Sequence, residues 1–232
     1  YALVTLPSGA RALVGSDAES DSVQIAAVVA CGALDDPAEL EGLAHLAEHV
    51  TLAADPLGLF PFCSARGGEL NGFTGERSTS FYARFDLGAR ADVREATARF
   101  SALLAAARGA PPSVAVIRRE VTRVDAEWAE VLRAPSRSLV ELAALKERAR
   151  ADSAWRHLGR GSAATLAVDD AAGAVRVAAA LDALRRSRYA AATTAYAVIS
   201  PLPLDEAVAA VGEALSTGSA RAAGGGATPQ PP

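Results

Sequence analysis

Two of the chain's three histidines lie four residues apart in the stretch EGLAHLAEHVTL, residues 41–52. Apolar residues recur there at helical spacing, which predicts a helix from about Glu41 to Leu52. Residues i and i+4 of a helix lie on the same face, one turn apart, so His45 and His49 should point the same way. This is the spacing that two imidazoles need to bind one zinc ion.

Glu48 precedes the second histidine and gives the order H-x-x-E-H, the reverse of the H-E-x-x-H order of zincins. Zinc lowers the pKa of its bound water to about 7, and a neighbouring carboxylate can take the proton as general base. The alternative is a pair of solvated or hydrogen-bonded histidines on an ordinary helix. The scarcity of histidine, the apolar residues between the pair and the order of the motif favour a metal site.

A catalytic zinc needs a third protein ligand and an open fourth position. A long helix is predicted from about 113 to 133, after a proline pair that suits a helix start. Its acidic candidates are Glu120, Asp125, Glu127 and Glu130. Glu120 and Glu127 are seven residues apart and share a face with valines, where a carboxylate needs a partner or a cation. Spacing alone does not choose the ligand. The neighbouring Arg118, Arg119 and Arg123 are predicted to form a solvated face of this helix.

Strands and helices must position these residues. Period-2 patterns and apolar runs bounded by turn residues predict strands in ALVTLPSGARALVGSD, SVQIAAVVACG, ELNGFTGERSTSFYARFDL and TTAYAVIS. Further helices are predicted at about 90–107 and 136–150, in DDAAGAVRVAAALDALRRSRY and in LDEAVAAVGEALS, with a short one ending near Arg66. The fold class is therefore α+β, in one compact unit over residues 1–217. The Gly- and Pro-rich residues 218–232 are predicted to be a flexible linker or tail.

Composition excludes several function classes. The net charge is −4 and no basic stripe with interleaved aromatics occurs, so we expect no nucleic-acid partner. No apolar run approaches the roughly 20 residues that span a bilayer, so we expect no membrane segment. Cys31 and Cys63 lack metal-ligand spacing and are predicted to be reduced and buried. With no visible signal peptide, a cytoplasmic location is expected, and the alanine and arginine bias suggests a bacterial source.

Three stretches resemble, in the correct order, the motifs of the pitrilysin–insulinase family of zinc peptidases, which includes the mitochondrial processing peptidases. They are GALDDPAELEGLAHLAEHVTL, GGELNGFTGERSTSFYARF and REVTRVDAEWAEV. The resemblance covers residues 1 to about 217. It implies the family's repeating domain, a mixed and mostly antiparallel sheet flanked by helices.

The resemblance also implies a zinc endopeptidase site. His45, His49 and Glu127 match the family's ligands for one Zn²⁺ ion, with Glu127 lying 78 residues beyond His49 (127 − 49), a separation typical of the family. Glu48 matches the general base. Glu120 matches the family's supporting glutamate, which orients a ligand histidine.

The second motif carries the expected substrate contacts. In the family the peptide adds as a strand to a sheet edge, which implies that Asn71, Gly72, Phe73 and Thr74 bind an extended peptide. The family's chamber is built from several such domains, so a second homologous domain or subunit is the expected partner. The alternative function is a peptide-binding or partner module of a multi-domain peptidase, with little activity alone.

Overall fold

The computed structural model describes residues 1–6, 8–133, 136–157 and 159–224. Within these residues one sheet has six strands, in the order β1-β2-β6-β3-β5-β4. β2 and β6 run parallel, and every other neighbouring pair is antiparallel. The strand bounds are β1 Ala2–Thr5, β2 Arg11–Ser16, β3 Ser22–Val29, β4 Glu69–Thr74, β5 Thr79–Asp86 and β6 Thr194–Ser200. The predicted mixed, mostly antiparallel sheet is confirmed.

The described helices, except the short α6, lie at positions that the apolar periodicity predicts. Their bounds are α1 Leu43–Ala54, α2 Leu59–Ser64, α3 Ala91–Ala106, α4 Val114–Arg133, α5 Arg137–Arg148, α6 Ala163–Leu166, α7 Ala171–Arg188 and α8 Leu204–Gly224. Helix α8 therefore continues through the first residues of the segment predicted as a linker. The rest of that segment, residues 225–232, lies outside the described part of the chain, so the linker remains a prediction there.

The core lies on one face of the sheet. Alternate residues of the central strands are fully buried, including Ile25, Phe81, Phe85 and Val198. Helices α1, α3 and α8 pack against this side. Intervening residues such as Leu13 and Ile199 are exposed on the other face, as the period-2 geometry of a strand requires. Helices thus flank one side of the sheet, and α1 lies between the sheet and α4.

The start of α1 is held by a residue from outside the helix. Gly42 precedes the helix with φ of 94°, which glycine adopts without strain. The carboxylate of Asp36 accepts the backbone N–H groups of Gly42 and Ala44, each at 2.7 Å. These donors would otherwise be unsatisfied at a helix start. Asp36 thereby fixes the end of α1 that leads directly to His45.

β4 is an edge strand of the sheet and lies beside α1. Its start depends on Gly68, because a Cβ there would lie 2.0 Å from the Arg84 carbonyl oxygen on β5. Along the strand Gly72 pairs with Phe81 of β5. The opposite side of β4 pairs with no strand among the described residues. The Asn-containing motif therefore occupies a sheet edge next to the helix that bears the histidines.

The two cysteines are free and buried, as predicted. Burial raises the pKa of Cys31 to about 12 and the pKa of Cys63 to about 11, so both are neutral thiols at physiological pH. Among the described residues, no helix combines the length and the apolar character needed to cross a membrane.

Candidate metal centre

Helices α1 and α4 bring three of the predicted ligand residues together. The Nε2 atoms of His45 and His49 are 3.2 Å apart. One Glu127 carboxylate oxygen lies 3.4 Å from His45 Nε2, and the other lies 3.3 Å from His49 Nε2. Tetrahedral ligands about 2.0–2.2 Å from a zinc ion are roughly 3.3–3.5 Å from one another. The three side chains therefore fit a zinc ion in both donor type and spacing.

Helix α4 also shows which acidic residues are brought to this cluster. Asp125 accepts the backbone N–H of Ala163 at 2.8 Å, so it holds the start of α6 instead. Glu130 is exposed on α4. Glu127 reaches the histidines with about half of its side chain still open to solvent, at 47% exposure. A position beside the three donors therefore remains accessible to water or a substrate.

The second ring nitrogen of each histidine has its own partner. His45 Nδ1 lies 2.8 Å from the Arg160 carbonyl oxygen, an acceptor that requires the ring to carry its proton on Nδ1. His49 Nδ1 lies 3.7 Å from a carboxylate oxygen of Glu120. Both rings thus direct Nε2 towards Glu127 and each other.

Glu120 is a buried carboxylate supported by two arginines. Its side chain is 1% exposed and accepts bonds from Arg119 Nε at 2.9 Å and Arg123 Nη1 at 3.0 Å. Arg118, Arg119 and Arg123 are exposed, as predicted for a solvated face. The guanidinium groups of Arg119 and Arg123 nevertheless also bond to this buried carboxylate, which the sequence did not indicate. Arg118 also bonds to the protein, donating to the Val168 carbonyl oxygen. The two arginines thus offset part of the cost of removing this carboxylate from water.

Glu48 lies on the same face of α1, next to β4. It is 4% exposed, and its carboxylate accepts the Thr74 hydroxyl at 2.6 Å. Burial raises the pKa of Glu48. A Cβ on Gly72 would lie 3.1 Å from Glu48 Oε1, so the backbone of β4 covers the carboxylate closely. A raised pKa brings a carboxylate nearer to the range in which a general base works at neutral pH.

All nine residues predicted for the site line one open cavity of about 820 Å³. On β4, Asn71 and Phe73 are exposed, and the ring of Phe73 is 57% open to solvent. The side chain of Thr74 instead bonds to Glu48, a contact that the sequence did not predict. Helix α5 adds Leu139 and Leu142 to the opposite wall.

Two contributors to the site escaped sequence reasoning. The Arg160 carbonyl is a backbone group 115 residues from His45, and glycines on either side mark a loop without indicating its target. The α5 leucines are spaced as on any amphipathic helix. The sequence predicted the helix α5 but gave no indication that α5 lines a cavity.

A family model described as insulinase, peptidase family M16, matches residues 11–149, more than half of the chain. The chain belongs to this peptidase family. The resemblance inferred from the three motifs is therefore confirmed. The matched range contains both the H-x-x-E-H helix α1 and the whole of α4, which carries Glu120 and Glu127.

Individual members of the insulinase family extend the match. Coenzyme PQQ synthesis protein F of Klebsiella pneumoniae is 33% identical over 194 residues, covering 81% of this chain and 24% of that protein. The crystal structure of pitrilysin superposes on 92% of this chain with a TM-score of 0.77 and 23% identity, and this match covers 22% of pitrilysin. The periplasmic protease PqqL from Escherichia coli gives a TM-score of 0.73 at 17% identity over 93% of this chain and 23% of PqqL.

Because the sequence identities to these two structures are only 23% and 17%, they support the fold of this chain and nothing further. The chain spans about a quarter of the length of each of these three proteins.

Proposed function

We propose that this chain is the zinc-binding domain of an endopeptidase that cleaves extended peptides. The triangle formed by His45 Nε2, His49 Nε2 and the Glu127 carboxylate carries the proposal, with sides of 3.2 to 3.4 Å. These residues would hold one Zn²⁺ ion. When bound, zinc acts as a Lewis acid towards a carbonyl oxygen and lowers the pKa of a coordinated water.

The chain's own residues supply the rest of the chemistry. Glu48 takes a proton from the attacking water and delivers it to the leaving amine. The hydrogen bond from Thr74 keeps the carboxylate aimed along the β4 edge. Glu120 faces Nδ1 of His49 and stabilises the orientation of that ring.

The sheet edge is the proposed substrate site. One side of β4 pairs with no strand in the described part of the chain, and the strand carries Asn71, Gly72, Phe73 and Thr74 along the cavity. A peptide that adds as a further strand gains main-chain hydrogen bonds without strict sequence requirements. Thr74 and Gly72 contact Glu48, so a peptide on this edge would pass directly beside the general base.

The complete activity is proposed to need a second homologous domain or subunit. Coenzyme PQQ synthesis protein F, which matches 81% of this chain, is covered over only 24% of its own length. The same fact favours a second candidate function, a peptide-binding or partner module with little activity alone. The two candidates share the peptide site and differ in whether this chain cleaves what it binds.

The test is cleavage of a mixed pool of unfolded peptides by the zinc-loaded chain, read by mass spectrometry beside a Glu48→Gln variant. The isosteric amide cannot act as base, so we expect cuts by the native chain to be lost, with a rate decrease of at least about 100-fold. Zinc content is measured for both proteins, since the variant must retain the metal for the comparison to hold. Cuts that persist in the metal-loaded variant would overturn the role of Glu48.

Absence of cuts by either zinc-loaded protein would favour the binding module. Absence of stoichiometric zinc in the native chain, at concentrations that load His-rich control proteins, would overturn the metal site. A His49→Gln variant is the matched control for zinc content, because it removes one donor and retains a side chain of similar reach.

A further inference from the structure

The orientation of His45 depends on a remote loop. The loop consists of Gly159, Arg160 and Gly161 and is called the GRG loop below. Its central carbonyl oxygen lies 2.8 Å from His45 Nδ1, across 115 residues of sequence. A carbonyl can only accept, so this contact requires the imidazole proton on Nδ1 and leaves the lone pair on Nε2. That lone pair lies near His49 Nε2 and a Glu127 carboxylate oxygen.

Two glycines bring this loop against the start of α1. A Cβ on Gly42 would lie 2.2 Å from the Gly161 Cα atom, and a Cβ on Gly161 would lie 2.8 Å from the Gly42 Cα atom. Real Cβ atoms essentially never come closer than 3.0 Å to another heavy atom, so a side chain at either position would clash. The atoms opposite belong to the backbone and cannot rotate away as a side chain can. The approach of the two chains therefore requires the absence of side chains on both sides.

A second set of contacts fixes the other end of the GRG loop. A Cβ on Gly159 would lie 1.8 Å from a carboxylate oxygen of Glu41, so the glutamate packs directly on the loop. The Glu41 carboxylate accepts Lys146 Nζ of α5 at 2.8 Å, and its backbone carbonyl accepts the Thr165 hydroxyl at 2.8 Å. The loop is thus held by α5, by α6 and by the residues that precede α1.

We propose that the GRG loop is a positioning element that selects the Nδ1–H tautomer of His45 and aims its Nε2 into the metal centre. None of its side chains takes part, since the acting group is a backbone carbonyl placed by glycine contacts. The consequence for zinc affinity rests on the proposed function, whereas the tautomer is a property of the metal-free chain. Partners of this kind typically change metal affinity by about 10- to 100-fold when they are removed.

A Gly161→Ala variant tests the proposal, with Gly9→Ala as its matched control. Both glycines have φ of +82°, so alanine introduces the same backbone strain at either site. An added Cβ at Gly9 meets only Ala192 atoms at 3.8 and 3.9 Å, an ordinary contact. Only Gly161→Ala should push the Arg160 carbonyl away from His45.

The first readout is the imidazole ¹⁵N NMR spectrum of the metal-free proteins at about pH 8.5, where histidine is neutral. The chain has only three histidines, which keeps the spectrum simple. We expect the Nδ1–H tautomer of His45 in the native chain and in Gly9→Ala. A mixture of tautomers is expected in Gly161→Ala.

The second readout is zinc affinity, measured by competition with a chelator. We expect zinc binding to weaken by about 10-fold or more in Gly161→Ala and to change little in Gly9→Ala. Unfolding midpoints should fall in both variants, since both are strained. If Gly161→Ala fails to fold, the native chain alone still tests the proposal, because a His45 ring that carries its proton on Nε2 in the metal-free protein would overturn it.

An unchanged His45 tautomer and zinc affinity in a folded loop variant would overturn the proposal. Failure of the native chain to bind zinc would instead overturn the proposed function. The tautomer measurement would then still decide whether the GRG loop positions His45.

Discussion

The hydroxyl of Thr74 sets the direction of the Glu48 carboxylate. It donates to a Glu48 carboxylate oxygen at 2.6 Å. The Thr79 hydroxyl lies 3.3 Å from the Thr74 hydroxyl and donates its own proton to the Cys31 carbonyl oxygen at 2.8 Å. Because the Thr79 proton is already used, the Thr74 proton is left for the carboxylate. Thr74 is thus placed to act through Glu48, the proposed general base, although family resemblance assigned it to substrate binding.

We predict that Thr74→Val lowers kcat by about 10-fold. Without the hydrogen bond from Thr74 the Glu48 carboxylate is less well oriented, and a poorly oriented base transfers protons less efficiently. Thr74→Ser retains the hydroxyl and should restore most of kcat. KM and zinc content should remain near the native values. These constants are measured on whichever form cleaves peptides, the chain alone or the chain with its partner domain. A rise in KM at unchanged kcat would assign Thr74 to substrate binding instead.

Candidate site residues were easier to predict when the pattern that places them lies within one short stretch of sequence. The sequence predicts His45, Glu48 and His49 as site residues because helical spacing is local and puts them on one face. Glu127 could not be separated from three other acidic residues by spacing, and only the family resemblance selected it. The Arg160 carbonyl was missed because a backbone group carries no residue-specific signal.

At the scale of elements, α1 is a buried helix whose first turn depends on Asp36. The prediction began α1 at Glu41, but it begins at Leu43, since Gly42 has φ of 94° and lies outside the helix. Gly42 has no side chain to cap the helix, and Asp36 supplies the missing acceptor from six residues upstream. A local pattern indicated the helix, whereas this cap required knowledge of how the preceding loop turns back.

Asp36 should make the stability of the chain depend on pH. Burial raises the pKa of its carboxyl from 3.8 to about 7, against the opposing effect of its backbone hydrogen bonds. Between these values the folded chain keeps a proton that the unfolded chain releases. The free energy of unfolding should therefore fall as pH rises from about 4 to 7, with a slope of at most about 1.4 kcal/mol per pH unit from this group.

The measurement is urea unfolding across this pH range for the native chain and for Asp36→Asn, both with chelator to remove metal. The amide does not titrate, so the difference between the two stability curves isolates Asp36 from Glu48 and the histidines. We expect the native chain to lose stability relative to the variant as pH rises. Parallel curves would show that Asp36 has the same pKa in both states.

At the scale of the whole molecule, the sequence predicted the individual strands and helices but not the order of the strands in the sheet. Period-2 alternation identified the strands, including β6, because each buries one face. The position of β6 between β2 and β3 was not predictable, since pairing between strands so distant in sequence leaves no local pattern. The same limit applies to β4 as an edge strand, because no local pattern showed that the sheet formed by the described residues ends there.

The final prediction compares the two edges of the sheet. β4 and β1 are both edge strands, but only β4 borders the cavity with Glu48 and the histidine cluster. When an extended peptide saturates the zinc-loaded Glu48→Gln chain, we expect slower amide hydrogen exchange in Glu69–Thr74 and no change in Ala2–Thr5. A bound strand protects amides by hydrogen bonding, and the inactive variant keeps the peptide intact during the measurement.

β1 serves as an internal control in this experiment, because it reports any general stabilisation of the sheet by the ligand. Equal protection of β1 and β4 would indicate such an indirect effect. Saturating peptide without protection of β4 would place the binding site elsewhere in the cavity, on the wall formed by α5. Protection confined to β4 would support strand addition whether or not the isolated chain cleaves, since binding at this edge precedes the chemistry that a further domain would complete.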